Sequence, residues 1–150
     1  MQENDVIRCM QLPLFDHWLL LPNAAIAEVI SYADFSDISM SGDSVILGDI
    51  DWRGIKVPTL SFEMAVGLDK PESTSKDRIA IIYNPAGGDK NAYIGVRLTD
   101  IPRSFRAETE SLANEEIQLE DKTLVKFQIS HQEQQLFIPN LDALFQLLDN

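Results

Sequence analysis

The chain has 150 residues, 45% of them hydrophobic, and its 12 basic and 24 acidic residues give a formal net charge of −12. This length suits one domain or two small lobes with a buried core. The negative charge argues against binding to nucleic acid or to anionic lipid, because both need clustered lysine and arginine. The apolar runs are too short to span a bilayer and the amino terminus lacks a basic signal-peptide region, so we expect a cytoplasmic protein without direct membrane contact.

Short apolar runs separated by turn residues predict a mainly β fold. The predicted strands, in chain order, are residues 6–14, 18–21, 26–32, 44–52, 55–60, 78–83, 92–98, 123–130 and 135–138. Residues 15–17 and 84–91 are typical of tight hairpin turns. Residues 69–77 are polar, lack periodicity and contain a proline, so we interpret them as a loop between the two halves of a single domain over residues 1–150.

Few helices are predicted. One or two helical turns would be capped by Ser61 and ended by Gly67. A second helix follows Asn140, an N-cap residue, and carries apolar side chains at helical spacing: Leu141, Leu144, Phe145 and Leu148. Residues 108–121 contain six acids and no base, which indicates a solvated loop or helix face.

Catalytic and metal-binding patterns are weak in this sequence. His17 and His131 lie in predicted turns and are interpreted as solvated residues. Asp49 and Asp51 form an Asp-x-Asp pair, but Arg53 on the same side of the strand would compete for their carboxylates. We therefore predict a protein that is not an enzyme and needs no cofactor or metal. A small β-barrel enzyme or ligand binder, the least favoured alternative, would require both aspartates and a histidine to converge in one pocket.

The most informative segment is GDIDWRGIKVPTLSFE, residues 48–63. Side chains alternate along a strand, so Trp52 should face inward while Asp51 and Arg53 face outward, and Gly54 permits a sharp turn. The segment thus predicts a hairpin tip with an exposed arginine. Two interpretations remain open on these grounds. One is an intramolecular Asp51–Arg53 surface pair of little energetic value, and the other is a surface that another protein binds.

This segment resembles the core signature of the CheW-like family, the adaptors of bacterial chemosensory arrays. That signature reads roughly Gly-x-x-Asn-x-Arg-Gly-x-x-x-Pro-x-x-Asp-Leu. The positions in register here are Gly48, Arg53, Gly54 and Pro58. Residues 19–32, 93–105 and 135–148 resemble further family elements, so the similarity extends over about residues 9–148.

The chain also departs from the family pattern. Asp51 stands where asparagine is usual, Ser61 where aspartate is usual, Phe62 where leucine is usual, and Thr99 where aspartate is usual. The chain therefore resembles a divergent member. Residues 19–32 are more similar to the adaptors of pilus (twitching-type) systems than to the flagellar adaptor.

The resemblance implies two SH3-like five-stranded β-barrel lobes that share a core, with a short C-terminal helix. It also implies a non-catalytic adaptor, in which one lobe meets the CheW-like domain of a CheA-type histidine kinase. A groove lined by both lobes would meet the helical tip of a methyl-accepting chemoreceptor. The implied partner-binding residues are Ile26, Glu28, Asp51, Arg53, Gly54, Ile94 and Val96.

Two alternatives accompany these implications. Ile94 and Val96 are also explained by core packing alone. The departures from the family pattern leave open an SH3-like module that binds a different protein.

Overall fold

The computed structural model describes residues 6–31, 44–69, 74–87, 92–108, 113–115, 119, 123–131 and 133–149. The strands in these ranges are β1 (Val6–Pro13), β2 (Trp18–Pro22), β3 (Ile26–Ser31), β4 (Ile46–Trp52), β5 (Ile55–Leu60), β6 (Arg78–Tyr83), β7 (Tyr93–Leu98), β8 (Arg103–Glu108), β9 (Ala113–Glu115), β10 (Val125–His131) and β11 (Gln134–Pro139). The α-helices are α1 (Phe62–Ala65) and α2 (Leu141–Gln146), and short 3-10 turns follow β2 and α2. No helix in the described part of the chain is long and apolar enough to cross a membrane.

The strands form two sheets, one in each lobe. The first has the order β8-β1-β2-β11-β10-β9 and the second has the order β3-β6-β7-β5-β4. The prediction of a mainly β, two-lobed fold with a C-terminal helix is confirmed. The described strands form open sheets of six and five strands, however, and not two closed five-stranded barrels. The polar loop of residues 69–77 follows α1 and precedes β6, so it connects elements within the five-stranded lobe, and its residues 70–73 lie outside the described residues.

The five-stranded sheet divides its apolar side chains between two cores. Along β6, Ile79 and Ile81 belong to a cluster inside this lobe, whereas Ala80 and Ile82 belong to a second cluster. The second cluster also contains side chains from the six-stranded sheet, such as Phe137, and we call it the interlobe core. Each small sheet alone would bury too little apolar area, so the shared core stabilises both lobes.

Both predicted helices are present, and their caps are formed as expected. The hydroxyl of Ser61 accepts a hydrogen bond from the Met64 N–H at 3.3 Å, and Gly67 follows with a φ of +86°. The side-chain oxygen of Asn140 accepts from the Ala143 N–H at 3.3 Å. The apolar stripe of α2 packs against the interlobe core.

Two strands were not predicted from the sequence. β8 has the sequence RSFRAE, which has no clear apolar alternation, and it forms because β1 supplies an antiparallel partner along its length. β9 pairs with β10 and lies inside the acidic segment of residues 108–121. The interpretation of that segment as loop or helix is therefore wrong for residue 108, the end of β8, and for residues 113–115. Pairing with a neighbouring strand, and not local pattern, decides the conformation of both segments.

A fully buried ion pair lies in the five-stranded lobe. The guanidinium of Arg97 donates from Nε and Nη2 to Oδ2 of Asp77 at 3.2 and 2.9 Å, and the two side chains are 0% and 1% exposed. A charge taken out of water is costly unless a partner compensates it. The pair therefore ties the beginning of β6 to β7.

The β1–β2 turn is held by residues of the five-stranded lobe. The backbone N–H of Phe15 donates to Oε2 of Glu63 at 3.1 Å. The backbone N–H of Thr99 donates to the Pro13 carbonyl at 3.0 Å, and the Thr99 hydroxyl donates to the Leu14 carbonyl at 3.4 Å. Because Glu63 follows β5 and Thr99 follows β7, these bonds join the lobes at the turn.

Glu63 is a buried carboxyl group, and burial raises its pKa above the ordinary value of 4.5. Hydrogen bonds from the backbone N–H groups of Glu63 and Phe15, the charge of Arg97 and the Ser61 hydroxyl oppose this rise without cancelling it. In the pH range between the unfolded and folded pKa values, the native state binds more protons than the unfolded state. The free energy of unfolding therefore falls as pH rises through this range.

We expect Glu63→Gln to remove this dependence, because glutamine keeps a carbonyl acceptor for the Phe15 N–H and does not ionise. The measurement is urea unfolding of both proteins from about pH 4 to about pH 7. The stability of Glu63→Gln relative to the wild type should increase with pH once pH exceeds 4.5. A stability difference that stays constant over this range would contradict the assignment.

Candidate functional site

The β4–β5 hairpin ends in a two-residue turn formed by Arg53 and Gly54. Trp52 pairs with Ile55, and the two turn residues have φ values of +52° and +79°. Positive φ at both central positions is the backbone of a type I′ turn, whose twist suits a hairpin. The carboxylate of Asp51 accepts a hydrogen bond from the Gly54 N–H at 3.1 Å. The predicted hairpin tip with an exposed arginine is confirmed.

Glu28 on β3 organises the side chains at this tip. Its Oε1 accepts from the indole Nε1 of Trp52 at 2.9 Å and from Nη2 of Arg53 at 3.0 Å. The Arg53 guanidinium also lies over the Trp52 ring, 5.0 Å from its centroid. Because β3 and β4 are the two outer strands of their sheet, these contacts join its edges at this end.

The Glu28–Arg53 pair positions the arginine more than it stabilises the fold. The side chains are 39% and 70% exposed, so solvent screens the charges and the pair is worth less than about 1 kcal/mol. The alternative Asp51–Arg53 pair is wrong, because Arg53 pairs with Glu28 and Asp51 accepts from Gly54. The result is an oriented cation with most of its surface in solvent.

An aromatic row continues this surface across the sheet. The rings of Trp52 and Tyr93 meet edge to face at 4.9 Å, and those of Tyr93 and Tyr83 lie 5.6 Å apart. Tyr83 is 46% exposed, and Ile55 beside the turn is 42% exposed. Neither tyrosine is among the partner-binding residues predicted from the sequence. The two tyrosines lie on either side of the predicted turn of residues 84–91. A hairpin at that turn places them opposite each other, so their contact could have been predicted from the sequence.

Two of the other residues implied by the resemblance lie beneath the surface. Ile94 and Val96 on β7 are 0% exposed and belong to the interlobe core. Their side chains have no exposed area for a partner, so any contribution to binding would come through packing. Ile26 begins β3, is half-buried and packs against the same core.

Three of the residues that depart from the family pattern make local hydrogen bonds. Asp51, in place of asparagine, supplies an oxygen to the N–H of the turn glycine. Ser61, in place of aspartate, caps α1. Thr99, in place of aspartate, uses its hydroxyl to bond the β1–β2 turn. These substitutions are therefore compatible with the local structure.

The groups considered for catalysis lie on separate elements. Asp49 and Asp51 lie on β4, whereas His17 lies in the β1–β2 turn with its ring stacked on Phe137 at 4.8 Å. His17 is thus packed and half-buried, and not simply solvated. The described residues include no group of three or more His, Cys, Asp or Glu side chains that could hold a metal. The His131 side chain lies outside the described residues.

The comparisons with known proteins agree with the observed fold. Residues 8–149 match the CheW-like domain. A comparison with curated proteins finds no match. Among solved structures, the scaffolding protein TtCheW from Thermoanaerobacter tengcongensis has a similar fold, with a TM-score of 0.72 and 15% sequence identity over 94% of this chain and 87% of that chain. Since the family match extends over almost the whole sequence, the chain belongs to the CheW-like domain family.

Proposed function

We propose that this protein is a non-catalytic cytoplasmic adaptor that couples methyl-accepting chemoreceptors to a CheA-type histidine kinase. The signalling system would control either chemotaxis or pilus motility, and the resemblance of residues 19–32 to pilus-type adaptors favours the second. Family membership over residues 8–149 supports it. The observation that carries it is the Arg53 side chain, which Glu28 and Trp52 hold outward on the hairpin bearing the family signature.

The proposed partner surface centres on Arg53 and Gly54, with Asp51, Glu28 and Ile26 beside them. Arginine suits such a surface because its planar group makes several directed hydrogen bonds. The Trp52 ring beneath it reduces the side-chain freedom that binding would otherwise remove. The adaptor acts by assembly. Individually weak contacts become strong in an array through effective concentration, and signals pass as shifts in packing between receptor and kinase.

We expect Arg53→Glu to keep the fold and to lose partner capture. The side chain is 70% exposed, so its replacement leaves the core intact, while the new carboxylate lies beside Glu28 and repels it. The measurement is capture of receptor fragments and of the CheA-type kinase from the same genome by each variant. Lys126→Glu is the matched control, since it makes the same charge change at an exposed position on the other sheet.

A second variant distinguishes the loss of the cation at position 53 from the loss of its ion pair with position 28. Glu28→Arg combined with Arg53→Glu restores an ion pair but moves the cation to β3. Recovered capture would mean that the pair positions the hairpin, and continued loss would mean that a partner contacts Arg53 itself. Wild-type protein that captures neither kinase nor receptor would overturn the adaptor proposal and favour the module with a different partner.

A further inference from the structure

One end of the six-stranded lobe gathers three connections of the chain. β2 begins at Trp18, opposite Pro13 at the end of β1, and β11 runs parallel to it with Leu136 beside Trp18. β8 begins at Arg103 opposite Gln11. The β1–β2 turn, the β7–β8 connection and the β10–β11 turn therefore lie together, and we call this end the lobe tip.

The lobe tip exposes two large apolar side chains. Phe15 in the β1–β2 turn is 45% exposed, and Ile101 in the β7–β8 connection is 61% exposed. The two connections adjoin, because Thr99 bonds the carbonyls of Pro13 and Leu14. Neither side chain belongs to a core cluster of the described residues. Apolar side chains exposed on adjoining connections can form one patch, and such a patch marks an interaction surface.

The backbone that carries Phe15 is held on both sides. The Leu14 N–H donates to the His17 carbonyl at 2.8 Å, and the Phe15 N–H donates to the buried carboxyl group of Glu63. The His17 ring is stacked on Phe137. The exposure of Phe15 is therefore not the exposure of a loose loop, and an aromatic side chain on a fixed backbone binds with little loss of conformational entropy.

The charges around the lobe tip are mainly negative. Asp16, Asp100 and Glu133 are exposed, one from each of the three connections. Arg103, a cation at the beginning of β8, lies over the Trp18 ring, and its guanidinium carbon is 5.3 Å from the ring centroid. A complementary partner would carry lysine or arginine around its apolar side chains. A second copy of this chain would meet the lobe tip with a net charge of −12, which disfavours self-association.

We propose that the lobe tip, with Phe15 and Ile101 surrounded by Asp16, Asp100 and Glu133, is a docking surface for a protein segment that presents an apolar side chain between lysine or arginine residues. It lies on the six-stranded sheet and is separate from the Arg53 hairpin on the five-stranded sheet. Glu63 is a positioning residue for this surface, because it acts through the backbone of Phe15.

The test is an NMR titration of the full chain with a short peptide that carries two leucines flanked by lysine pairs. We expect shift changes at the amides of Phe15, Asp16, Asp100 and Ile101, and weaker binding as salt increases. Two control peptides, one with serine for leucine and one with glutamate for lysine, should not bind there. Absence of binding, or shift changes centred on the Arg53 hairpin or elsewhere, would overturn the proposal.

Variants provide the second readout. Phe15→Ser combined with Ile101→Ser should lower the peptide affinity at least about tenfold, as expected for the loss of two apolar anchors. Phe127→Ser is the matched control, because Phe127 is 52% exposed on β10, away from the lobe tip. Asp16→Asn combined with Asp100→Asn should weaken binding and reduce its salt dependence. Unchanged affinity in the apolar double variant would contradict the proposal.

Two further measurements separate this surface from its rivals. In sedimentation experiments, self-association of the wild type that the Phe15→Ser and Ile101→Ser variant abolishes would show a dimer interface and overturn the proposal. If the wild type captured neither receptor nor kinase in the capture experiment, the adaptor proposal would fail, but peptide binding at the lobe tip would not be affected. The two proposals can therefore fail independently.

Discussion

Replacing Arg97 by methionine should lower the free energy of unfolding by about 3–5 kcal/mol, the range found when one partner of a buried ion pair is removed. Methionine fills much of the same volume with an apolar side chain, so the main cost is electrostatic. It leaves the Asp77 carboxylate at 1% exposure without the guanidinium that donates two hydrogen bonds to it. Domains are stable by only about 5–15 kcal/mol, so this loss would remove a large part of the total.

Chemical denaturation of matched variants checks this expectation. Arg53→Met makes the same substitution in the exposed Glu28–Arg53 pair, and it should cost less than about 1 kcal/mol. Arg97→Met combined with Asp77→Asn should be more stable than Arg97→Met alone, because no isolated charge remains buried and the amide can still accept from the Thr74 N–H. Similar small losses for Arg97→Met and Arg53→Met would show that the buried pair has no special role.

Gly95→Ala should lower the free energy of unfolding by about 1–3 kcal/mol, as overpacking of a core does. A Cβ atom at this position would lie 2.6 Å from Oγ1 of Thr59 and 2.9 Å from Cγ2 of Ile79. Both neighbours are 0% exposed and lie on β5 and β6, the strands that flank β7. They have little room to move, so the glycine is required by close approach.

A double-variant cycle tests the assigned contact. Thr59→Ala removes the nearest atom, so Gly95→Ala and Thr59→Ala together should cost less than the sum of the two single losses. Additive losses, or no loss for Gly95→Ala alone, would mean that the sheet adjusts without strain. Circular dichroism of each variant shows whether the β structure is retained.

The two proposed binding surfaces belong to different lobes, and the structure links the lobes at one of them. Glu63 and Thr99, from the five-stranded lobe, hold the β1–β2 turn that carries Phe15. An adaptor with two separate surfaces could bind two partners at once, and simultaneous binding raises overall affinity through effective concentration. Simultaneous binding at both would be consistent with the proposed role as an adaptor.

Local sequence determined the features whose cause is local. The hairpin at Arg53-Gly54 follows from alternation along β4 and from a turn that needs positive φ. Helix α2 follows from an N-cap at Asn140 and from apolar side chains at helical spacing. The mainly β class follows from short apolar runs, and the family resemblance extended these local patterns to the two-lobed arrangement.

Tertiary structure alone decided the features that depend on which distant segments meet. Glu28 and Arg53 are 25 positions apart, so the partner of the arginine depends on how the sheet brings β3 to β4. The sequence shows that β7 carries an apolar residue at position 94. Only the packing of one lobe on the other decides that Ile94 lies in the interlobe core. Strand β8, the buried Asp77–Arg97 pair and the lobe tip that carries Phe15 and Ile101 have the same origin. Each results from contacts between segments far apart in the chain, and such contacts leave no periodic signal in the residues that make them.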